Sequence, residues 1–217
     1  MTRLRIALAA GVVGLVVAGV AISPRFRFMV GGALVSAGAR VQDHLEPYDF
    51  VHGDDVETPS EVWTEFLSQN ALSSKVRELF PRSTEHPQVA LLVCMDARLD
   101  TAELTGDTRG YYYVVRTAGS VLGPAEQEML ELAVVNGVKV IVLTRHTDCA
   151  AERAAQDPVQ CEQFPALTTG VKEREQRIAE FLARPRIAQR IAEGRLLVKE
   201  VTIDTQSEHL LAGATRP

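Results

Sequence analysis

From Gln88 to Asp204 the chain alternates short runs of aliphatic and β-branched residues with segments of helical periodicity, and few folds accept that order. The runs are "QVALLVCM", "YYYVVRT", "VKVIVLTRH" and "RLLVKEVTID". Between them lie "EQEMLELAVVNG", which Gly137 should end, then "TGVKEREQRIAEFLA" and "RIAQRIAEG". The runs are apolar at successive rather than alternate positions, so each strand has to be covered on both faces. Such strands, separated by helices, predict an α/β fold: a mostly parallel β-sheet flanked by helices. With 46% hydrophobic and 24% charged residues, the chain can bury the core this fold needs.

Residues 1–40 have a different character. Leu4–Ile22 carries no charge beyond Arg5, and its 19 residues, at about 1.5 Å each, approach the thickness of a bilayer core. This stretch predicts an N-terminal hydrophobic helix that anchors the chain in a membrane through residues 4–22. A cleaved signal peptide is the alternative, because a basic start and the small-residue patterns Gly19-Val20-Ala21 and Ala37-Gly38-Ala39 also suit export. Arg3 and Arg5 precede the stretch while Arg25 and Arg27 follow it, so charge leaves the side of the membrane open.

The net charge of −5 is unevenly spread. The first 40 residues hold five arginines and no acid, so the rest carries 18 basic against 28 acidic residues, a formal −10. That balance opposes a broad phosphate-binding surface and argues against a nucleic-acid partner. Residues 41–59 read as an acidic linker, in which His44, His52, Asp54 and Asp55 lack the spacing of a metal site. Thr58 or Ser60 then suits the cap of a helix over 61–80, where Val62, Phe66, Leu67 and Leu72 keep helical spacing.

In open α/β sheets, ligands bind where the strands deliver their carboxyl ends. Cys94 ends one expected strand, and His146 and Cys149 end another in "VIVLTRHTDCA". One thiolate together with a His-x-x-Cys set suits Zn²⁺ with a fourth position left for water or substrate. Packing is the competing role, since buried free cysteines often only fill space. A Cys94–Cys149 disulfide would suit an exported domain. Cys161 sits in the polar segment "DPVQCEQF" and reads as a bystander. Asp96 and Arg98 follow Cys94 at alternate positions, which along a strand end would point the same way.

"CMDARLD", "VVRTAG" and "NGVKVIVLTRHTDC", in this order and over these distances, resemble the β-class carbonic anhydrases across about residues 60–205. The resemblance implies that Cys94, His146 and Cys149 hold zinc. It implies that Asp96 and Arg98 form a catalytic dyad, in which the arginine holds the carboxylate and the carboxylate orients the attacking oxygen. It also implies an inactive form in which Asp96 leaves Arg98 for the fourth zinc position. Residues 60–217 would then be the zinc-binding catalytic domain, hydrating carbon dioxide reversibly to bicarbonate and a proton. A homodimer or multiple of dimers is implied, with the helix over 61–80 reaching onto the neighbour.

Five positions depart from the family pattern. Thr117 stands for an asparagine, Ala150 for a glycine, Arg145 for a small residue, and Tyr111-Tyr112 for a short Asp-Ala pair. A methyl at Ala150 would crowd the site if the backbone there needs positive φ. Carbonyl sulfide or carbon disulfide could meet the same chemistry. The alternative function is a catalytically weak zinc-binding subunit of a membrane assembly. His44, His52, His86 and His209 are the candidate proton carriers.

Overall fold

The computed structural model describes residues 11, 12, 14, 16, 18–20, 23–42, 58–79, 87–105 and 112–212. The chain divides into two compact units, residues 1–84 and 85–217.

In the first unit, helix α1 spans Pro24–Gln42 and α2 spans Pro59–Leu79. No helix among the described residues is long and apolar enough to cross a membrane. The expected anchor over residues 4–22, and the membrane localisation that followed from it, are therefore corrected. Residues 1–10, 13, 15, 17, 21 and 22 of that region lie outside the described residues. At Ser23 a new helix starts: its Oγ accepts the Phe26 N–H at 3.3 Å, and Pro24 takes the first helical position. That new helix carries Arg25, Arg27 and Arg40, and its apolar residues are broken up by Gly31, Gly32, Ser36 and Gly38.

Helix α2 begins two residues earlier than the sequence suggests, because Pro59 also fits the first turn, where no N–H is required. Val62, Trp63, Phe66 and Leu67 are exposed, and the Trp63 and Phe66 rings stack with centroids 5.5 Å apart. The linker residues His44, His52, Asp54 and Asp55 lie outside the described residues.

The second unit is built on a five-stranded sheet. Strands β1 (Val89–Cys94), β2 (Tyr112–Thr117), β3 (Val140–His146) and β4 (Leu197–Ile203) are parallel in the order β2-β1-β3-β4. A short β5, Leu210–Ala212, pairs antiparallel with β4. The expected mostly parallel α/β fold is what forms. Helix α3 (Thr101–Thr105) links β1 to β2, and α4 (Pro124–Val135) links β2 to β3. Helix α4 ends at Asn136, followed by Gly137 at φ 105°, a conformation that glycine adopts without strain.

Between β3 and β4 run α5 (Ala150–Gln156), α6 (Gln160–Gln163), α7 (Pro165–Lys172), α8 (Arg174–Ala183) and α9 (Pro185–Ala192). The single helix expected over 169–183 is two, parted at Glu173, whose ψ of 1° leaves the helical range. Ala90, Leu92, Ile141, Leu143, Leu130, Ile178, Phe181 and Ile187 form one buried cluster. Leu91, Val93, Cys94, Leu99, Cys149 and Ile203 form a second. Alternate residues of β1 and β3 divide between the two, the signature of strands covered on both faces. Because β2 and β3 lie on opposite sides of β1, the strand order reverses at the carboxyl ends of β1 and β3, where the fold leaves a crevice.

The turn joining β4 to β5 carries a pH-dependent element. The Asp204 carboxylate accepts hydrogen bonds from Ser207 Oγ at 2.8 Å and the Gln206 N–H at 3.1 Å, and these contacts hold its pKa below the ordinary range. A carboxyl depressed in the folded state adds stability above its unfolded pKa of about 3.9, and that stability is lost as pH falls through the lower folded value. Asp204→Asn is therefore expected to lower the thermal midpoint at neutral pH and to leave it unchanged at pH values well below the folded pKa. Melting curves at the two extremes check this.

Candidate metal centre

Strand β1 stops at Cys94, and the next residues form a turn. Asp96 and Arg98 are thus not brought together by alternation along a strand, as the sequence suggests. An Asx-type turn does it: Asp96 Oδ1 accepts the backbone N–H of Arg98 at 3.1 Å, and Leu99 N–H closes on Asp96 O at 3.1 Å. The guanidinium then folds back on the same carboxylate, Nε to Oδ1 at 2.9 Å and Nη2 to Oδ2 at 2.8 Å. This planar fork is the strong form of an Arg–carboxylate contact. It holds the Asp96 carboxyl down at about 2 against the opposing effect of burial, and raises Arg98 in return. Asp96 is thereby engaged by Arg98.

Arg98 has a second acceptor that the sequence reading missed. Nη1 donates to Asp148 Oδ2 at 3.2 Å and Nη2 to Asp148 O at 3.1 Å. Asp148 lies between the two residues of the His-x-x-Cys set and takes φ 59°, a left-handed conformation that aspartate tolerates better than most residues. Arg153 also donates to Asp148, so one aspartate ties the turn after β1 to the turn after β3. The positive φ falls at Asp148 and not at Ala150, which is the first residue of α5. The crowding expected from the Ala150 methyl therefore has no backbone cause.

Cys94, His146 and Cys149 are all buried, and their ligand atoms lie within 4.8 Å of one another. Register explains the meeting: β1 and β3 are neighbouring parallel strands that end at the same rim. His146 Nδ1 lies 2.9 Å from Thr147 O and 3.2 Å from Thr205 Oγ1, while buried Nε2 has no hydrogen-bond partner. An Nδ1–H donated to that carbonyl leaves Nε2 with a lone pair, the tautomer a metal ligand requires.

The Cys149 thiol, then the backbone N–H of Asp96, His146 and the backbone N–H of Gly119, hold Cys94 below the ordinary thiol range despite burial. The same contact, together with burial, pushes Cys149 up. Two buried sulfurs beside an imidazole nitrogen without a hydrogen-bond partner form a cation site by donor chemistry. Zinc–ligand bonds of about 2.3 Å to sulfur and about 2.0 Å to nitrogen suit donors this close. The three cysteines are free thiols, which sets aside the Cys94–Cys149 disulfide, and Cys161 lies in α6, outside this group.

Residues around the centre fix its shape. Arg116 donates to Leu99 O at 2.5 Å and Cys94 O at 3.4 Å, bracing the turn that carries Asp96. Thr117, where the family pattern has asparagine, donates through Oγ1 to Val121 O at 2.9 Å and closes the short 3₁₀ turn Ala118–Ser120. Gly119 in that turn, at φ 63°, aims its N–H at Cys94 Sγ at 3.3 Å. Arg145 pairs with Glu175 instead of entering the centre. Of the proposed proton carriers, His44, His52 and His86 lie outside the described residues, and His209 is exposed before β5.

Thr205 carried no signal of its own in the sequence, yet its hydroxyl meets both His146 Nδ1 and Thr147 O. Losing an outer partner of a ligating histidine commonly costs metal affinity 10- to 100-fold. Thr205→Val is expected to weaken zinc binding by about 10-fold, since the Thr147 carbonyl still holds Nδ1. Competition with a chelator of known affinity measures it.

An α/β sheet with a Cys–His–Cys cluster at its switch point defines a candidate zinc protein with an adjacent acid–base pair. A family model described as carbonic anhydrase matches residues 89–215, more than half of the chain. The chain belongs to the β-carbonic anhydrase family. It is 38% identical over 64 residues to beta-carbonic anhydrase 1 of Mycobacterium tuberculosis, a match covering 28% of this chain and 38% of that relative. The chain thus matches well under half the length of its curated relatives. The fold is similar to that of a β-carbonic anhydrase of Aspergillus fumigatus, with a TM-score of 0.54 and 21% identity over 71% of this chain and 92% of that one. It is also similar to a tetrameric β-carbonic anhydrase of Sordaria macrospora, with a TM-score of 0.52 and 20% identity over 69% and 95% of the two chains.

Proposed function

We propose that this chain is a zinc-dependent carbonic anhydrase that interconverts carbon dioxide and bicarbonate, with Cys94, His146 and Cys149 as ligands and Asp96 and Arg98 as the catalytic dyad. The observation that carries this reading is the convergence of three buried donors within 4.8 Å beside a carboxylate clamped by arginine. Zn²⁺ at such a centre lowers the pKa of water from about 15.7 to about 7 and so supplies a nucleophile at neutral pH.

The protein's own residues supply the rest. Ionised Asp96 can only accept hydrogen bonds, so a water or hydroxide beside it must present a proton to the carboxylate and turn a lone pair toward the substrate. Arg98 holds both carboxylate oxygens and thereby fixes that direction. Asp148 holds Arg98 in turn, a second tether on the guanidinium besides Asp96. Carbon dioxide is small, uncharged and apolar, which suits a centre packed against Leu91, Val93, Leu99 and Ile203.

The assembly we propose is a homodimer or a multiple of dimers. Its support is the exposed apolar stretch Val62, Trp63, Phe66 and Leu67 on α2, a face that a second copy would cover.

Stopped-flow hydration of carbon dioxide by the full chain, with zinc measured on the same sample, tests the reaction. About one zinc per chain with hydration far above buffer supports it. Zinc bound without hydration over a wide pH range would leave a zinc-holding relative that has lost the reaction.

A further inference from the structure

Behind the two cysteines lies an ion pair that the proposed reaction does not use. Arg174 opens α8, is 4% exposed, and donates through Nη1 to Glu152 Oε1 at 2.6 Å. Burying a guanidinium is expensive unless it is paired, and its partner Glu152 is only partly buried, so the burial of Arg174 calls for a local reason. Its surroundings supply one. A Cβ added to Gly119 would sit 3.3 Å from Arg174 Nη2, 3.2 Å from Val171 Cγ2 and 3.4 Å from Ala151 Cβ. The guanidinium therefore packs directly on the residue whose N–H points at Cys94 Sγ.

On the other side, Glu152 stands in the first turn of α5, which Cys149 precedes as its N-cap. Arg174 thus touches Gly119, whose N–H donates to Cys94, and pairs with Glu152, in the first turn of the helix that Cys149 precedes. The 3₁₀ turn it braces holds two successive left-handed residues, Gly119 at φ 63° and Ser120 at φ 53°. The second is a conformation that a serine keeps only where the surroundings impose it.

We propose that the Arg174–Glu152 pair is a positioning pair for the metal centre, locking the Ala118–Ser120 turn to the start of α5 so that Cys94 keeps its Gly119 N–H donor and Cys149 keeps its place before α5. This rests on the reading of Cys94, His146 and Cys149 as metal ligands. N–H···S hydrogen bonds withdraw charge from a thiolate, so their lengths set how strongly each sulfur donates to a metal and how readily it lets go. Removing Arg174 leaves the Glu152 carboxylate unpaired near two thiolates. Removing the Glu152 charge leaves a buried guanidinium without its acceptor.

The test uses the full chain loaded with Co²⁺, whose thiolate charge-transfer absorption reports sulfur donation directly. Arg174→Met, Arg174→Lys and Glu152→Gln are compared with Phe181→Leu, a fully buried change in the same helix but in the other core cluster. The readouts are the thermal midpoint, the position of the charge-transfer band, and the rate at which metal passes to excess chelator. Arg174→Met and Glu152→Gln should shift the band and speed metal release by about 10- to 100-fold. Arg174→Lys, which keeps the charge without the fork, should recover part of both. Phe181→Leu should lower the midpoint and leave band and release unchanged.

If the Arg174 and Glu152 variants release metal no faster than Phe181→Leu and leave the band in place, the pair merely stabilises the fold and the inference is overturned. Should Arg174→Met fail to fold, Arg174→Lys and Glu152→Gln decide it by the same two readouts. An unaltered chain that takes up neither Co²⁺ nor Zn²⁺ would sink the reading of the centre itself, a result distinct from fast release.

Discussion

Replacing Cys94 or Cys149 by alanine is expected to lower zinc affinity by more than about 100-fold, and hydration activity should vanish with the metal. The size follows from what supports each sulfur. Loss of an outer hydrogen-bonding partner alone commonly costs 10- to 100-fold, and here a donor atom itself disappears. His146 and one thiolate would remain, two donors where a catalytic zinc centre uses three from the protein. Each cysteine is at most 5% exposed, so no neighbouring side chain can swing in from solvent as a substitute. Zinc per chain after dialysis against a weak chelator is the measurement, and it separates this outcome from misfolding when the circular dichroism spectrum is taken on the same sample. A variant that keeps zinc at full stoichiometry would remove that cysteine from the ligand set.

The second large effect is expected at Arg98. Arg98→Ala deletes two side-chain hydrogen bonds to Asp96 and two to Asp148 while leaving the three buried donors in place. Zinc content should therefore hold, while the hydration rate falls by on the order of 10²- to 10³-fold, the range seen when one preorganised donor is lost. Two changes act together. The Asp96 carboxylate loses the fork that fixes its direction, and its pKa climbs back from about 2 toward the ordinary range. Arg98→Lys should rescue little, since an ammonium is a point charge that cannot engage both oxygens in one plane. An Arg98→Ala chain that hydrates carbon dioxide at the unaltered rate would take the arginine out of the dyad.

The sequence announced the parts of this molecule that depend on local pattern. Four apolar runs gave the four parallel strands, because a strand buried on both faces needs an unbroken apolar sequence. Cys94, His146 and Cys149 were legible because soft ligands at strand ends are few and their chemistry is narrow. Short elements left no period to read: α5 and α6 have seven and four residues, and β5 has three. Backbone donors leave no trace in a sequence either, so the Gly119 N–H on Cys94 could not be foreseen. Asp148 and Thr205 were hidden for another reason. Their partners lie 50 and 59 residues away, and only the fold brings them together. The apolar stretch near the start misled because hydropathy registers composition alone, and no helix among the described residues is long and apolar enough to cross a membrane.

The pairing of β1 with β3 brings together donors more than fifty residues apart in the chain. Contacts of such long sequence separation form late in folding, after the loop-closure entropy of the intervening segment has been met. Metal capture at this centre is then a closing event, available only to chains in which the two strands have already docked. By mass action the captured ion stabilises that docked state against local opening. Amide hydrogen exchange along Leu91–Cys94 and Ile141–Thr144 should slow on metal addition, making protection of these two strands a direct reporter of whether the centre is filled.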